Sequence, residues 1–242
     1  MYTRPLIAVA ILWLIPIQAS AQAAPPPARE VSAEFSFVGT SGNSSTQSIG
    51  VGGAFIQRLD SSWELTTKTA YIRNDSDAVL KAESFALTFG GARVLNPRLS
   101  LFVRHGYLRD RFAGIINRNA PEGGVSYTAV NTAPHKLVVD VGLGYAKEER
   151  VAGLDQSNGT GGVGALYTLK FSDNAEFSDD WRSVVSLDQI RDRRFANIAS
   201  ISAKLTTIFS LKVSNTIRFV NVPTVGFEKT DAITAIALVA KF

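Results

Sequence analysis

From about residue 29 to residue 242 the chain is a long series of alternating stretches. The clearest covers residues 136–145. Leu137, Val139, Val141, Leu143 and Tyr145 fall on one parity, and Lys136, Val138, Asp140, Gly142 and Gly144 on the other. A period of two sets these groups on opposite faces of a β-strand. The pattern recurs roughly every 15 to 20 residues with turn residues between, the spacing of a membrane barrel. The fold class expected is therefore all-β: a transmembrane antiparallel up-and-down β-barrel of about twelve strands.

The start of the chain reads differently. Met1, Tyr2, Thr3 and Arg4 make a short basic opening, and residues 6–17 are an apolar run. Ala19-Ser20-Ala21 and Ala21-Gln22-Ala23 are both small-x-small sites. Together these predict a secretory signal peptide over 1–23. The apolar run is too short to cross a bilayer core of ~30 Å. Ala24-Pro25-Pro26-Pro27-Ala28 reads as an extended linker, which leaves 29–242 for the barrel. The chain has no cysteine, so it has neither disulfides nor a lipoprotein anchor. Without Arg4, 24 of its 25 basic residues stand against 21 acidic ones. So small an excess gives no footing for nucleic acid, and export argues against it as a partner.

Strands are expected at 30–40, 46–59, 63–73, 81–94, 99–109, 118–129, 135–147, 160–171, 175–187, 195–207, 210–220 and 230–242. Tight connections at 59–62, 95–98, 131–134, 172–174 and 206–209 alternate with longer, more charged ones at 74–80, 110–117, 148–159, 188–194 and 221–229. Short turns at one end and longer loops at the other are the two unlike ends of an outer-membrane barrel. Trp63, Tyr71, Tyr107, Tyr127, Tyr145, Tyr167, Phe171, Phe177, Trp181 and Phe219 stand near strand ends, where interfacial rings belong.

The parity opposite the apolar one is small and polar, as in Ser48, Gly50 and Gly52 or Gly162, Gly164 and Thr168. It also carries Arg58, Lys68, Arg104, Lys136, Lys170, Arg182, Lys204, Lys212 and Arg218 against Glu34, Glu64 and Asp140. These side chains are expected to line a mildly cationic lumen that prefers anions if it conducts. The alternative is that they pair and close it. A twelve-strand barrel lies between ~8 strands, where side chains fill the interior, and ~16, where an aqueous channel opens.

Chemical motifs are weak. Gly159-Thr160-Gly161-Gly162-Val163-Gly164 fits G-x-G-x-x-G, but a strand follows it where a phosphate site needs a helix. His135 follows Pro134 at a turn, and His105 shares the parity of Leu101 and Val103, hence the lipid face. A lipid-facing histidine admits a hydrolase, yet no serine motif accompanies it. Asp75 with Asp77, and Asp179 with Asp180, admit carboxylate chemistry only if they converge across the rim. No catalytic residue, cofactor or metal is expected.

The stretch Asp110-Arg111-Phe112-Ala113-Gly114-Ile115 with Arg118, the stretch Gly142-Leu143-Gly144-Tyr145, the run Gly161-Gly162-Val163-Gly164, and Pro223, Gly226 and Lys229-Thr230-Asp231 onward resemble the YdiY-like family of salt-induced outer-membrane proteins, a domain of unknown function. The resemblance covers nearly all of the chain after the signal. It implies an outer-membrane barrel and carries no substrate or catalytic residue. Ile236, Leu238, Ala240 and Phe242 share a parity, and that face resembles the signal read by the barrel-assembly machinery, with Phe242 as its mark. The expected partners are that machinery, outer-membrane lipid and lipopolysaccharide.

The function expected is thus a non-enzymatic barrel of the bacterial outer membrane. Its narrow polar lumen would pass small solutes, anionic by its charge, or serve in envelope stress. A closed structural barrel and a lipid or peptide hydrolase are the alternatives.

Overall fold

A computed structural model of the chain describes residues 27–40, 46–77 and 79–242. The expected signal peptide and all of the linker before Pro27 lie outside the described residues. Twelve strands follow in order: β1 (Arg29–Thr40), β2 (Thr46–Arg58), β3 (Trp63–Ser76), β4 (Val79–Asn96), β5 (Leu99–Asp110), β6 (Ile115–Asn131), β7 (His135–Arg150), β8 (Gln156–Ser172), β9 (Ala175–Ser186), β10 (Arg193–Lys204), β11 (Phe209–Val220) and β12 (Thr230–Lys241). Each pairs antiparallel with its sequence neighbours, and β1 pairs with β12, so the sheet is a closed barrel. Closure over residues 32–35 and 238–241 pairs part of the two outer edges that an open sheet of this size would leave sticky.

The faces sort as the alternation requires. Phe35, Val51, Phe89, Val103, Val141, Leu143, Val213 and Ile236 are exposed on the outside. The other parity must be the concave side, because its charged side chains meet across intervening strands. Lys212 on β11, for instance, reaches Glu34 on β1 past β12. On β11 the outward rings of Phe209 and Phe219 bracket Leu211, Val213, Asn215 and Ile217. Their separation at ~3.3 Å per residue and a tilt of ~40° gives an apolar band of roughly 25 Å, the height of a membrane barrel's outer face.

The two ends differ less than the turns suggest. β3 and β4 run through the expected loop at 74–80 and meet at a tight turn, where Asp77 takes a φ of 50°. β7 likewise extends to Arg150, inside the expected loop at 148–159. The longest described connection, 221–229, joins β11 to β12. At the other end Arg58 N donates to Ala28 O at 2.8 Å, and its guanidinium donates to Pro27 O at 2.6 Å. The end of the linker is thereby pinned to the short-turn rim.

Candidate functional site: the charged lumen

All twelve charged positions expected in the lumen stand on the inner parity of their strands. Direct register partners share a face, which links Glu34 to Gly52, Ala54 to Lys68 and Arg182 to Ala196. They do not form one population. The long-loop half is a network of arginines and carboxylates. The short-turn half is richer in lysine.

The centre of the network is a closed circuit. Arg104 on β5 donates to Glu122 at 3.0 Å and to Asp140 at 2.8 Å. Arg182 on β9 donates to Asp140 at 2.7 Å and closes the circuit on Glu122. Each guanidinium thus bonds both carboxylates, in the charge-assisted geometry that suits a planar fork. The Arg104 guanidinium carbon also lies 4.5 Å from the centre of the Phe102 ring.

Glycines make the space. Gly124, Gly142, Gly144, Gly162 and Gly164 place no side chain on the inner wall of β6, β7 and β8. A Cβ at Gly162 would lie 2.5 Å from Arg182 Nη2 and 2.9 Å from Glu122 Oε1. One at Gly164 would lie 3.1 Å from Arg182 Nη1. The charged groups therefore lie flat on bare backbone instead of filling the bore.

Nearer the long-loop mouth, Glu148 is 3% exposed and gathers three arginines. Arg194 donates at 2.6 Å, Arg150 at 2.8 Å, and Arg118 stands at 3.8 Å. Arg194 also reaches Asp192 at 3.4 Å. The other oxygen of Asp192, Oδ1, is buried with no partner, and it adjoins a void of ≈ 10 Å³ lined by Arg118, Glu148 and Arg194. That is about the space of one water.

The mouth itself is crossed. Arg218 on β11 and Asp110 on β5 approach to 3.5 Å. The 221–229 connection folds over the same opening. Thr224 is buried, and its Oγ1 donates to Gly114 O at 3.1 Å. Gly114 needs its φ of 79°, and a Cβ there would meet Thr224 Cβ at 2.5 Å and Phe227 at 2.9 Å. Asn221 ties the same connection to the Arg193 and Arg191 carbonyls at 2.9 Å each.

In the short-turn half, Arg58 holds Glu30 at 2.7 Å and Glu64 at 3.1 Å, and Lys212 holds Glu34 at 2.8 Å. Lys68, Lys136, Lys170 and Lys204 make no ion pair among the described residues. Lys170 has Glu176 as its register partner, beyond ion-pair distance.

Several members of the network are absent from the sequence expectation. Glu122 lies inside the strand expected at 118–129, and the register sets it on the inner face opposite Arg104. Arg118, Glu148, Arg150, Asp192 and Arg194 lie at strand ends or in connections, where parity gives no face. A continued alternation past Lys147 was the one signal that would have found Glu148.

The chemical motifs fall as follows. Gly159 to Gly164 lies wholly within β8. His105 faces outward, with Nε2 3.2 Å from Asn119 Oδ1, beside an open groove of ≈ 560 Å³ lined by Phe89, Val103, Leu143 and Tyr145. Its register partners are Phe89 and Pro121, so no serine stands beside it. His135 stacks on Tyr167 and shares a 2.7 Å hydrogen bond with its hydroxyl. Asp179 and Asp180 point to opposite faces and form no dyad. Asp179 instead accepts from Asn197 at 2.6 Å on the outer face. Asp75 is held by Arg73 at 2.8 Å.

Solved structures share this architecture. The NanC porin aligns at 10% identity over 88% of this chain and 98% of its own, with a TM-score of 0.51. An outer membrane channel from Pseudomonas putida F1 aligns at 12% identity over 91% and 97%, with a TM-score of 0.52. The translocator domain of the autotransporter NalP from Neisseria meningitidis aligns at 13% identity over 90% and 89%, with a TM-score of 0.51. At such identities the likeness establishes the fold of an outer-membrane barrel. No curated protein matches the sequence. Residues 33–242 match the family described as "Protein of unknown function, DUF481", and the chain belongs to that family.

Proposed function

We propose that this chain is an integral barrel of the bacterial outer membrane whose lumen passes small anionic solutes once its long-loop mouth opens. The observation that carries the reading is the set of four unpaired lysines, Lys68, Lys136, Lys170 and Lys204, on the inner face of the short-turn half. Of the inward acids there, Glu30, Glu34 and Glu64 are already held by Arg58 or Lys212, and the four lysines outnumber the two without an ion pair, Glu176 and Asp180. A wet passage lined by uncompensated cations raises the local concentration of anions.

The apolar outer face supports contact with membrane lipid. Arg109 and Arg193, exposed on the outer parity at the long-loop rim, suit the phosphates of lipopolysaccharide. The outward row Ile236, Leu238, Ala240 and Phe242 on and after β12 supports recognition by the barrel-assembly machinery.

A closed structural barrel is the second reading, and the crossed mouth at Asp110 and Arg218 favours it. Reconstitution in a planar bilayer separates the two. The channel reading expects discrete conductance steps and, across a potassium chloride gradient, a reversal potential of the sign for chloride preference. Silence over many insertions, or cation preference, overturns it. Neither reading assigns an enzymatic activity.

A further inference from the structure

The ring of strands is sealed unevenly. β1 bonds β2 along its whole length, from Arg29 with Gln57 to Thr40 with Thr46. β12 bonds β11 from Ala240 with Phe209 to Thr230 with Phe219. Between β1 and β12 the ladder holds only from Ser32 with Lys241 to Phe35 with Leu238, extended by two backbone bonds between Val31 and Phe242. Continuing that register would set Ser36 against Ala237 and Phe37 against Ile236, and no ladder joins them. Residues 36–40 and 230–237 therefore present two facing free edges in the long-loop half of the barrel. Within a bilayer, unpaired backbone is tolerated only where it borders protein or a water-filled cavity.

Both lips of the gap are apolar. Phe37 is 56% and Ile236 55% exposed on the outer side. On the inner side β12 offers Ile233, Ala235, Ala237 and Val239. Further round the lumen, Leu166 and Ile198 stand on the inner parity yet are 38% and 41% exposed, so apolar surface faces open space inside. The base of the gap is charged. Lys212 reaches past the small Ala237 to Glu34, at 2.8 and 3.1 Å, where the ladder gives out. The upper mouth, meanwhile, is crossed by Arg218 and Asp110.

We infer that the parted half of the β1–β12 seam is a side portal between bilayer and lumen for a single-chain anionic amphiphile of the fatty-acid class. The tail lies between the lips formed by Phe37 and Ile236 and along the inner face of β12. The carboxylate takes the place of Glu34 on Lys212. This inference rests on the membrane placement proposed above, which fractionation tests separately. It is independent of whether the lumen conducts small anions.

Because the chain has no cysteine, introduced pairs can be read without background. Ser32→Cys with Lys241→Cys lies within the ladder, and Ser36→Cys with Ala237→Cys lies across the gap, both at the non-hydrogen-bonded positions where antiparallel side chains approach most closely. A disulfide needs Cβ atoms within ~3.5–4.5 Å, so oxidation should bridge the first pair and leave the second open. Full bridging of the second pair means a closed seam and overturns the portal. So does bridging between two molecules, which would make the edges a strand-pairing surface.

The ligand is tested with diazirine-bearing palmitate in phosphatidylethanolamine vesicles. Label should concentrate on β1 and β12. Lys212→Gln removes one charge-assisted hydrogen bond and should cut labelling about tenfold. Ile236→Trp, which fills the lip and keeps Lys212, should cut it too. An alkyl trimethylammonium probe of equal length should show neither loss. Label spread evenly over the outer faces, or equal capture of the cationic probe, overturns the inference.

Discussion

Asp110 and Arg218 stand on β5 and β11, six strands apart whichever way the ring is followed, yet their side chains approach to 3.5 Å. Strands on opposite sides of a ring of twelve are brought together at its mouth. The same opening is covered by the 221–229 connection through Thr224 and Gly114. The mouth is therefore held by few and local contacts, and they can be removed singly.

Arg218→Gln should loosen that mouth. A partly exposed ion pair contributes up to ~1 kcal/mol, so the open fraction should rise by up to about fivefold. Single-channel recording of the variant beside the wild type measures it. Thr224→Val, which removes the hydroxyl from Gly114 O, should act in the same direction. An open fraction unchanged in both variants would show that these contacts do not hold the mouth.

Lys136→Glu combined with Lys170→Glu should shift the reversal potential toward cations. Neither lysine makes an ion pair, so their reversal alters the field in the lumen, with Lys170→Glu also setting a like charge opposite Glu176. Arg104→Glu is a poor substitute, because it leaves Glu122 and Asp140 with one guanidinium and two neighbouring negative charges. Equal reversal potentials for the double variant and the wild type would count against conduction past these lysines.

Gly162→Ala should destabilise the barrel by ~1–3 kcal/mol, the usual cost of forcing atoms into an occupied space. Its Cβ would press on the Arg182 and Glu122 side chains. Gly161→Ala is the matched control, since its Cβ would face outward with its nearest atom at 3.5 Å. Urea midpoints from heat-modifiable gel migration compare the two. Equal midpoints would refute the account of the glycine wall.

Glu148→Gln should be the most damaging of the single changes. It leaves Arg118, Arg150 and Arg194 facing one another with only Asp192 in reach. Breaking a buried charge network in this way costs ~3–5 kcal/mol. The denaturation midpoint should fall accordingly, and Glu148→Asp should recover part of the loss.

The strands were legible because a period of two survives in every one of them, and the lumen parity followed from it. What was not legible depended on contacts between strands. Nothing near Arg182 in the sequence indicates Glu122, sixty residues earlier, as its partner. Glu122 stood inside the strand expected at 118–129, and its role shows only from its partners across the sheet, Arg104 and Gly144. Glu148 and Arg150 were hidden by their charge, which makes a strand end look like a loop. The cationic excess itself was legible only as a total. The structure divides it into arginines that are largely neutralised and lysines of which, in the lumen, Lys212 alone among those expected there holds a carboxylate. The parted seam between β1 and β12 has no local signature, because both strands alternate perfectly well through it.

The glycine wall has a consequence for descent. Charges that rest on bare backbone tie the identity of Gly142, Gly162 and Gly164 to that of Arg104, Glu122, Asp140 and Arg182, although the two groups are scattered over five strands. A relative that keeps the charges must keep the glycines. A relative that loses one charge is released to fill the wall. Across homologous sequences, these positions should change as a block, and a lineage caught with half of the set would hold a barrel under strain.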